Sequence, residues 1–167
     1  MKHPLLLVIF LVANLLRANA MPVNTSPLQP VYDAYFALKD ALVKSDAADA
    51  SAKGTILLAA LKAVDMNTLS QEEHTLWMKS SPALIEDAEH ISTAKKVEKQ
   101  REYFVTLSSN LYTLMKTSKL DNPVYFQHCP MANNGKGADW LSKEMSIKNP
   151  YYGSMMLTCG RTVETLE

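Results

Sequence analysis

The chain has 167 residues, a length that suits one compact domain, with 17 basic and 17 acidic side chains. A formal charge of zero excludes a protein held to nucleic acid by bulk charge, because such binding needs a basic footprint. Hydrophobic residues at 47% and charged residues at 20% exclude disorder, and two cysteines exclude a disulfide-dense scaffold; with only five glycines, a chain rich in Ala, Leu, Lys and Glu leans helical.

Residues 1–20 have the pattern of an export signal. Lys2 and His3 precede an apolar run from Leu5 to Leu16, and Ala18-Asn19-Ala20 supplies small residues for cleavage. The run is shorter than the ~20 apolar residues of a comfortable membrane span. Met21 follows the expected cut, so the cysteine of a bacterial lipoprotein is absent. No later segment reads as apolar enough to span a membrane. Without the leader, 15 basic side chains face 17 acidic ones, a charge of −2. The expected compartment is the periplasm or another exported location, where two cysteines can pair.

Residues 21–30, with Pro22, Pro27 and Pro30, read as a flexible lead-in to a single domain over 31–167. Val31, Tyr35, Leu38 and Leu42 then recur at helical spacing, while Asp33, Lys39, Asp40 and Lys44 fall on other faces. A second helix is expected from Asp46 or Asp49 to about Met66. Its apolar positions are read as Ala52, Ile56, Ala59 or Ala60, and Ala63, and Gly54 weakens it by roughly 1 kcal/mol relative to alanine. Ser70-Gln71-Glu72-Glu73 is a capping box opening a short helix through Trp77. Pro82 is expected to interrupt it, with a further helical segment running through Ile91. The strongest helix is expected over 94–117, with Val97, Arg101, Phe104, Leu107, Leu111 and Leu114 or Met115 in one stripe. The fold class that follows is all-α: an antiparallel bundle of about four helices.

The character changes at Asp121. Residues 121–167 hold four of the five glycines, both cysteines and four of the nine methionines. This irregular C-terminal segment is expected to contain short strands: one over Val124 to His128 and one over Met155 to Cys159, with a short helix from Ala138 to Met145 between them. The tail aromatics Tyr125, Phe126, Trp140, Tyr151 and Tyr152 are expected to pack this segment onto the bundle.

Chemistry concentrates in His128-Cys129-Pro130-Met131 and Met155-Met156-Leu157-Thr158-Cys159-Gly160. Thiolate and thioether are soft ligands that suit Cu(I) best, and thiolate with imidazole also suits zinc. In an extended strand Met155 and Cys159 point one way and Met156 the other, which favours Met155 as the partner of Cys159 unless a turn re-aims them. A Cys129–Cys159 disulfide is the alternative, worth roughly 3–4 kcal/mol by loop closure. Spacing leaves the two open. Elsewhere, Glu86 and His90 sit four apart on one helical face, but a di-iron site needs Glu-x-x-His on two helices, so a surface ion pair is expected. The Lys95-Lys96, Lys99 and Arg101 run, interleaved with Glu98 and Glu102, reads as a solvated face. No nucleophile elbow, phosphate loop, dinucleotide fingerprint, His-Glu-x-x-His or Cys-x-x-Cys is present, so no enzyme activity is expected.

The motifs of the tail, from Gln127-His128-Cys129-Pro130-Met131-Ala132 through Gly137-Ala138-Asp139-Trp140-Leu141-Ser142 and Ile147-Lys148-Asn149-Pro150-Tyr151-Tyr152-Gly153 to Met155–Gly160, resemble the domain-of-unknown-function family numbered three-three-four-seven. Its members occur as small exported proteins and as the C-terminal domain of periplasmic adaptor subunits of copper- and silver-type efflux pumps. The resemblance runs from about Val31 to Gly160, with the cysteine-bearing tail as its specific part. It implies an exported helical bundle with a soft-metal link. It assigns Cys129, Met131, Met155 or Met156, and Cys159 as ligands, and His128 joins them on ligand chemistry. Cu(I) is the expected metal, ahead of silver and zinc. The expected partner is a heavy-metal efflux adaptor or another envelope protein; the chain itself lacks an adaptor's hairpin and barrel regions.

Overall fold

The computed structural model describes residues 26–167; the expected export signal and residues 21–25 of the lead-in lie outside the described residues. Four long helices come first: α1 (Gln29–Val43), α2 (Ala47–Lys62), α3 (Gln71–Thr93) and α4 (Val97–Met115). Each packs against the next in sequence. The expected bundle is there, but it carries a three-stranded antiparallel sheet, so the chain is mostly helical rather than all-α.

The face read for α1 is the one it buries: Val31, Tyr35, Leu38 and Leu42 are fully enclosed. The helix starts earlier than expected because Pro30 stands in its first turn, where no N–H partner is lost. The lead-in is also less free than expected. Ser26 and Leu28 are buried, and the Ser26 hydroxyl donates to Glu73 on α3 at 3.2 Å. Lys39, expected off the apolar face, is buried and ion-pairs with Asp40 at 2.6 Å.

Helix α2 begins where Asp46 accepts the N–H groups of Ala48 and Asp49, and it ends at Lys62, with a separate 3-10 turn over Met66–Thr68. Its buried face is not the expected one. Ala50, Gly54, Leu57 and Leu61 point inward, while Ala52, Ile56, Ala59 and Ala63 are exposed. In an alanine-rich helix apolar spacing carries little information about the face. Close approach decides instead: a Cβ on Gly54 would stand 3.0 Å from the backbone N of Ser92 on α3. The glycine that weakens the isolated helix lets two helices meet.

Helix α3 opens on the expected capping box, with both of its hydrogen bonds formed. It then runs through Pro82 without interruption, against expectation. Pro82 removes one helical hydrogen bond and crowds the carbonyl of residue 78. Both Pro82 and Met78 are exposed, so the lost bond falls on the solvated face of the helix, where it costs least. Across the α3–α4 contact the Thr106 hydroxyl donates to buried Asp87 at 2.7 Å. Burial pushes the Asp87 carboxyl up to about 6 despite that bond. Helix α4 buries Phe104, Leu107, Leu111, Leu114 and Met115 as expected, and also Arg101, which the charge pattern alone would place in solvent.

The tail forms β1 (Val124–Cys129), β2 (Ala138–Ser142) and β3 (Arg161–Leu166), in the order β2-β1-β3. The first expected strand is β1. The helix expected from Ala138 is β2, drawn extended by pairing Gln127 with Trp140 and Cys129 with Ala138. The strand expected over 155–159 is a 3-10 turn (Gly153–Met155) followed by a tight turn closed from Cys159 N–H to Met156 O at 3.1 Å. The β3 strand is unforeseen in the sequence.

Aromatics weld sheet to bundle, as expected of the tail. Tyr35 stacks on Phe104 with ring centres 5.2 Å apart, and its hydroxyl accepts the Leu141 N–H of β2 at 3.0 Å. Tyr112 of α4 stacks on Phe126 of β1. Among the described residues, no helix is long and apolar enough to cross a membrane.

Two outcomes check this account. Gly54→Ala improves local helix propensity, yet its methyl meets α3 backbone that cannot turn aside. Urea unfolding should show a net loss of about 1–2 kcal/mol; a gain would mean the helices can separate at no cost. For Asp87 the folded state holds the proton more tightly than the unfolded chain does. Its contribution to stability is therefore complete below about pH 4 and lost as pH rises through about 6. Asp87→Asn should flatten the stability profile in that window and gain roughly 1 kcal/mol at neutral pH, after allowance for solvent screening.

Candidate dithiol site

Cys129 is the last residue of β1, the central strand, and is fully buried. Cys159 closes the Met156–Cys159 turn, just before Gly160 and β3, and is partly exposed. Their sulfurs lie 2.7 Å apart. That is longer than the ~2.05 Å of a disulfide bond and shorter than ordinary sulfur packing. No bond joins the two sulfurs at this separation.

The placement of Cys159 depends on Asn149, which is completely buried. Its side-chain oxygen accepts the N–H groups of Tyr151 (2.8 Å) and Tyr152 (3.3 Å), and its side-chain nitrogen donates to the Cys159 carbonyl at 2.8 Å. Its own N–H donates to Leu157 O at 2.8 Å. One asparagine thus satisfies both ends of the 149–159 loop, where no helix or strand could. Gly160 follows with φ +142°, and a Cβ there would stand 2.8 Å from both His128 O and the Trp140 ring. The turn is pressed against β1 and β2 as closely as backbone allows.

The Cys159 thiol is raised above its ordinary pKa, first by its hydrogen bond with Cys129 and then by burial, while a backbone hydrogen bond from Met131 pulls the other way. The Tyr152 hydroxyl donates to Met131 O at 2.7 Å, which ties the Cys129-Pro130-Met131 corner to the same loop.

The remaining sequence-level candidates divide. The Met131 side chain is about half exposed and Met155 is 73% exposed. Met155 lines a cleft of about 250 Å³ with Tyr151, Tyr152 and Arg101. Met156 sits at the other end of the turn from Cys159, so the strand geometry that favoured Met155 does not hold. His128 alternates with Cys129 along β1, which puts it on the opposite face. It pairs there with its cross-strand neighbour Asp139, Nδ1 to Oδ1 at 2.7 Å. Among the described residues no three His, Cys, Asp or Glu side chains converge on one point. The Glu86–His90 pair is, as expected, an exposed i,i+4 contact at 3.8 Å.

The hydrogen-bonding roles of Asn149, Tyr152 and Arg101 are not foreseen in the sequence, although Arg101 and Tyr152 are named there for packing. The Arg101 guanidinium donates to Leu42 O (3.0 Å), Ser45 Oγ (2.8 Å) and Pro150 O (2.7 Å), joining α4 to the end of α1 and to the loop that carries Cys159. Its place in an apolar stripe of α4 was the available signal. For Asn149, only the Asn-Pro turn pattern hinted at a role.

Residues 31–122 match the family described as "Protein of unknown function (DUF3347)". The chain belongs to that family. The match takes in all four helices and stops just before β1, so the two cysteines lie beyond it. The helical part, read as generic, is what carries the membership. No curated protein and no solved structure matches the chain.

Asn149→Ala would orphan two backbone N–H groups and the Cys159 carbonyl inside the protein. Unfolding in urea should show a loss of about 2–4 kcal/mol, with slower pairing of the two cysteines on mild oxidation. Unchanged pairing would mean that β3 alone holds Cys159 in place.

Proposed function

We propose that this chain is an exported soft-metal-binding protein that handles Cu(I) in the periplasm through its C-terminal dithiol. The observation that carries this reading is the convergence of buried Cys129 with partly exposed Cys159, beside two methionine-bearing turns. The ligands are the two thiolates, with Met131 and a methionine of the 155–156 pair supplying thioether sulfur. Met156, the first residue of the turn that ends at Cys159, has the shorter backbone path to the pair.

The donor set favours copper or silver over zinc. Two thiolates and flexible thioethers suit a soft monovalent ion, whereas zinc asks for four nitrogen, oxygen or thiolate donors. His128, the donor that would favour zinc, is engaged with Asp139 on the other face of β1. Two thiolates on one ion of zinc-like bond length stand roughly 3.5–4 Å apart, so binding requires the Met156–Gly160 turn to yield by about 1 Å. The role is binding and transfer, with no catalytic step, and the receiving partner is a heavy-metal efflux adaptor or another envelope protein.

A second reading has its own support in the sulfur separation. A shift of under 1 Å closes a disulfide, which would make the tail a metal-free module whose surface contacts an envelope partner.

Thiol counting and a Cu(I) titration against a competing chelator separate the two. With mild reductant, two free thiols and one tightly held Cu(I) per chain are expected. Cys159→Ser should weaken binding at least about 100-fold, and affinity should rise with pH because the thiols must lose protons. Thiols that stay paired under mild reductant, with no copper uptake, would establish the disulfide module instead.

A further inference from the structure

The two sulfurs are close together but differ sharply in access. Cys129 is fully buried at the end of the central strand, where it pairs with Ala138 of β2. Cys159 is partly exposed and sits on a turn, where it is held through its backbone by Asn149 and Met156. A reagent from solvent therefore meets Cys159 first, while Cys129 can reach only Cys159, 2.7 Å away. This is the arrangement of an exchanging sulfur backed by a resolving one.

We propose that Cys129 and Cys159 form a thiol–disulfide exchange couple whose substrate is a low-molecular-weight thiol or its disulfide, with Cys159 as the sulfur that exchanges. In the oxidising direction, the Cys159 thiolate attacks one sulfur of a small disulfide. A Cys159 mixed disulfide forms, and the first small thiolate leaves with the electron pair of the broken bond. Cys129 thiolate then attacks Cys159 Sγ and expels the second small thiolate. Two protein thiols have become one disulfide, one small disulfide has become two thiols, and the two protons end on the departing thiolates. Reduction runs through the same mixed disulfide in reverse, with the small thiol attacking Cys159 Sγ because Cys129 is enclosed. The proposal deepens the metal reading and rests on it for its purpose: only the dithiol supplies two thiolates, so exchange at Cys159 decides whether the site can take Cu(I).

The test uses the purified full-length protein without metal and oxidised glutathione as probe, followed by intact mass. Cys129→Ser should accumulate a stable single adduct at Cys159. Cys159→Ser should take up none while folded, and wild type should pass to the internal disulfide without retaining adduct. Bulky maleimide labelling of the reduced wild type, mapped by peptide mass, supplies a measurement free of any folding defect in the variants. Cys159 should react at least about tenfold faster than Cys129. Equal labelling, or an adduct on Cys129 in the folded protein, overturns the proposal. Because no copper is present, that failure leaves the metal reading standing. Normal exchange with no copper uptake overturns the metal reading alone.

Discussion

The Arg101 guanidinium sits where three separately built parts of the chain meet, and it holds them without a carboxylate. Its donors go to a carbonyl at the end of α1, a hydroxyl in the α1–α2 connection and the Pro150 carbonyl in the tail. Burial draws its pKa down, yet arginine stays charged in proteins, so the full cost of its desolvation must be met by those acceptors. Loss of any one would leave a charge in apolar surroundings. The bundle and the tail are therefore coupled: the loop that presents Cys159 cannot drift without exposing or stranding this cation. Tyr35 does the same on the sheet side, since its phenol, kept neutral by burial, bonds both Ser108 on α4 and the Leu141 N–H.

That coupling gives the family match a structural meaning. The matched region ends at residue 122, so the four helices form the shared body and the sheet with its dithiol is set upon it. The helices contribute few groups suited to chemistry. Their buried polar residues are occupied in holding the fold, as Glu73 shows. Burial works against its charge, but hydrogen bonds from Ser118, Ser70 and Ser26 outweigh that and hold its carboxyl below the ordinary value. What the bundle offers the tail is a rigid floor.

How far each element could be read from sequence follows from what fixed it. Helices α1 and α4 were legible because leucine and aromatic spacing directly records the buried face. Helix α2 misled because alanine and glycine can face either way, and a backbone contact at Gly54 chose between them. Pro82 misled because a proline on a solvated helix face loses little. In the tail, local propensity gave β1 but not β2 or β3, whose extended form comes from pairing to β1 and not from their own residues. The two cysteines were legible as a pair. His128, expected beside them on ligand chemistry, is instead turned to the other face by strand alternation, where Asp139 holds it. The Asn149 hub was not legible, since four hydrogen bonds that close a loop leave no periodic trace.

The same contrast between strand and loop explains why the two sulfurs can serve more than one state. A dithiol held on two paired strands would be locked at one separation. Here one partner is fixed in the central strand and the other hangs from a turn, secured chiefly through its carbonyl and N–H. The observed spacing lies between that of a bond and that of two thiolates sharing an ion. Each state is about 1 Å away, in opposite directions. Moving the turn outward loosens no strand pairing, because β3 begins only after Gly160. The packing of Gly160 against Trp140 and the His128 carbonyl blocks inward motion, while outward motion is held back only by the Asn149 bond to the Cys159 carbonyl and leaves the Arg101 contact at Pro150 in place. Closure to a disulfide must therefore come largely from side-chain rotation, whereas opening for a metal can draw on the backbone.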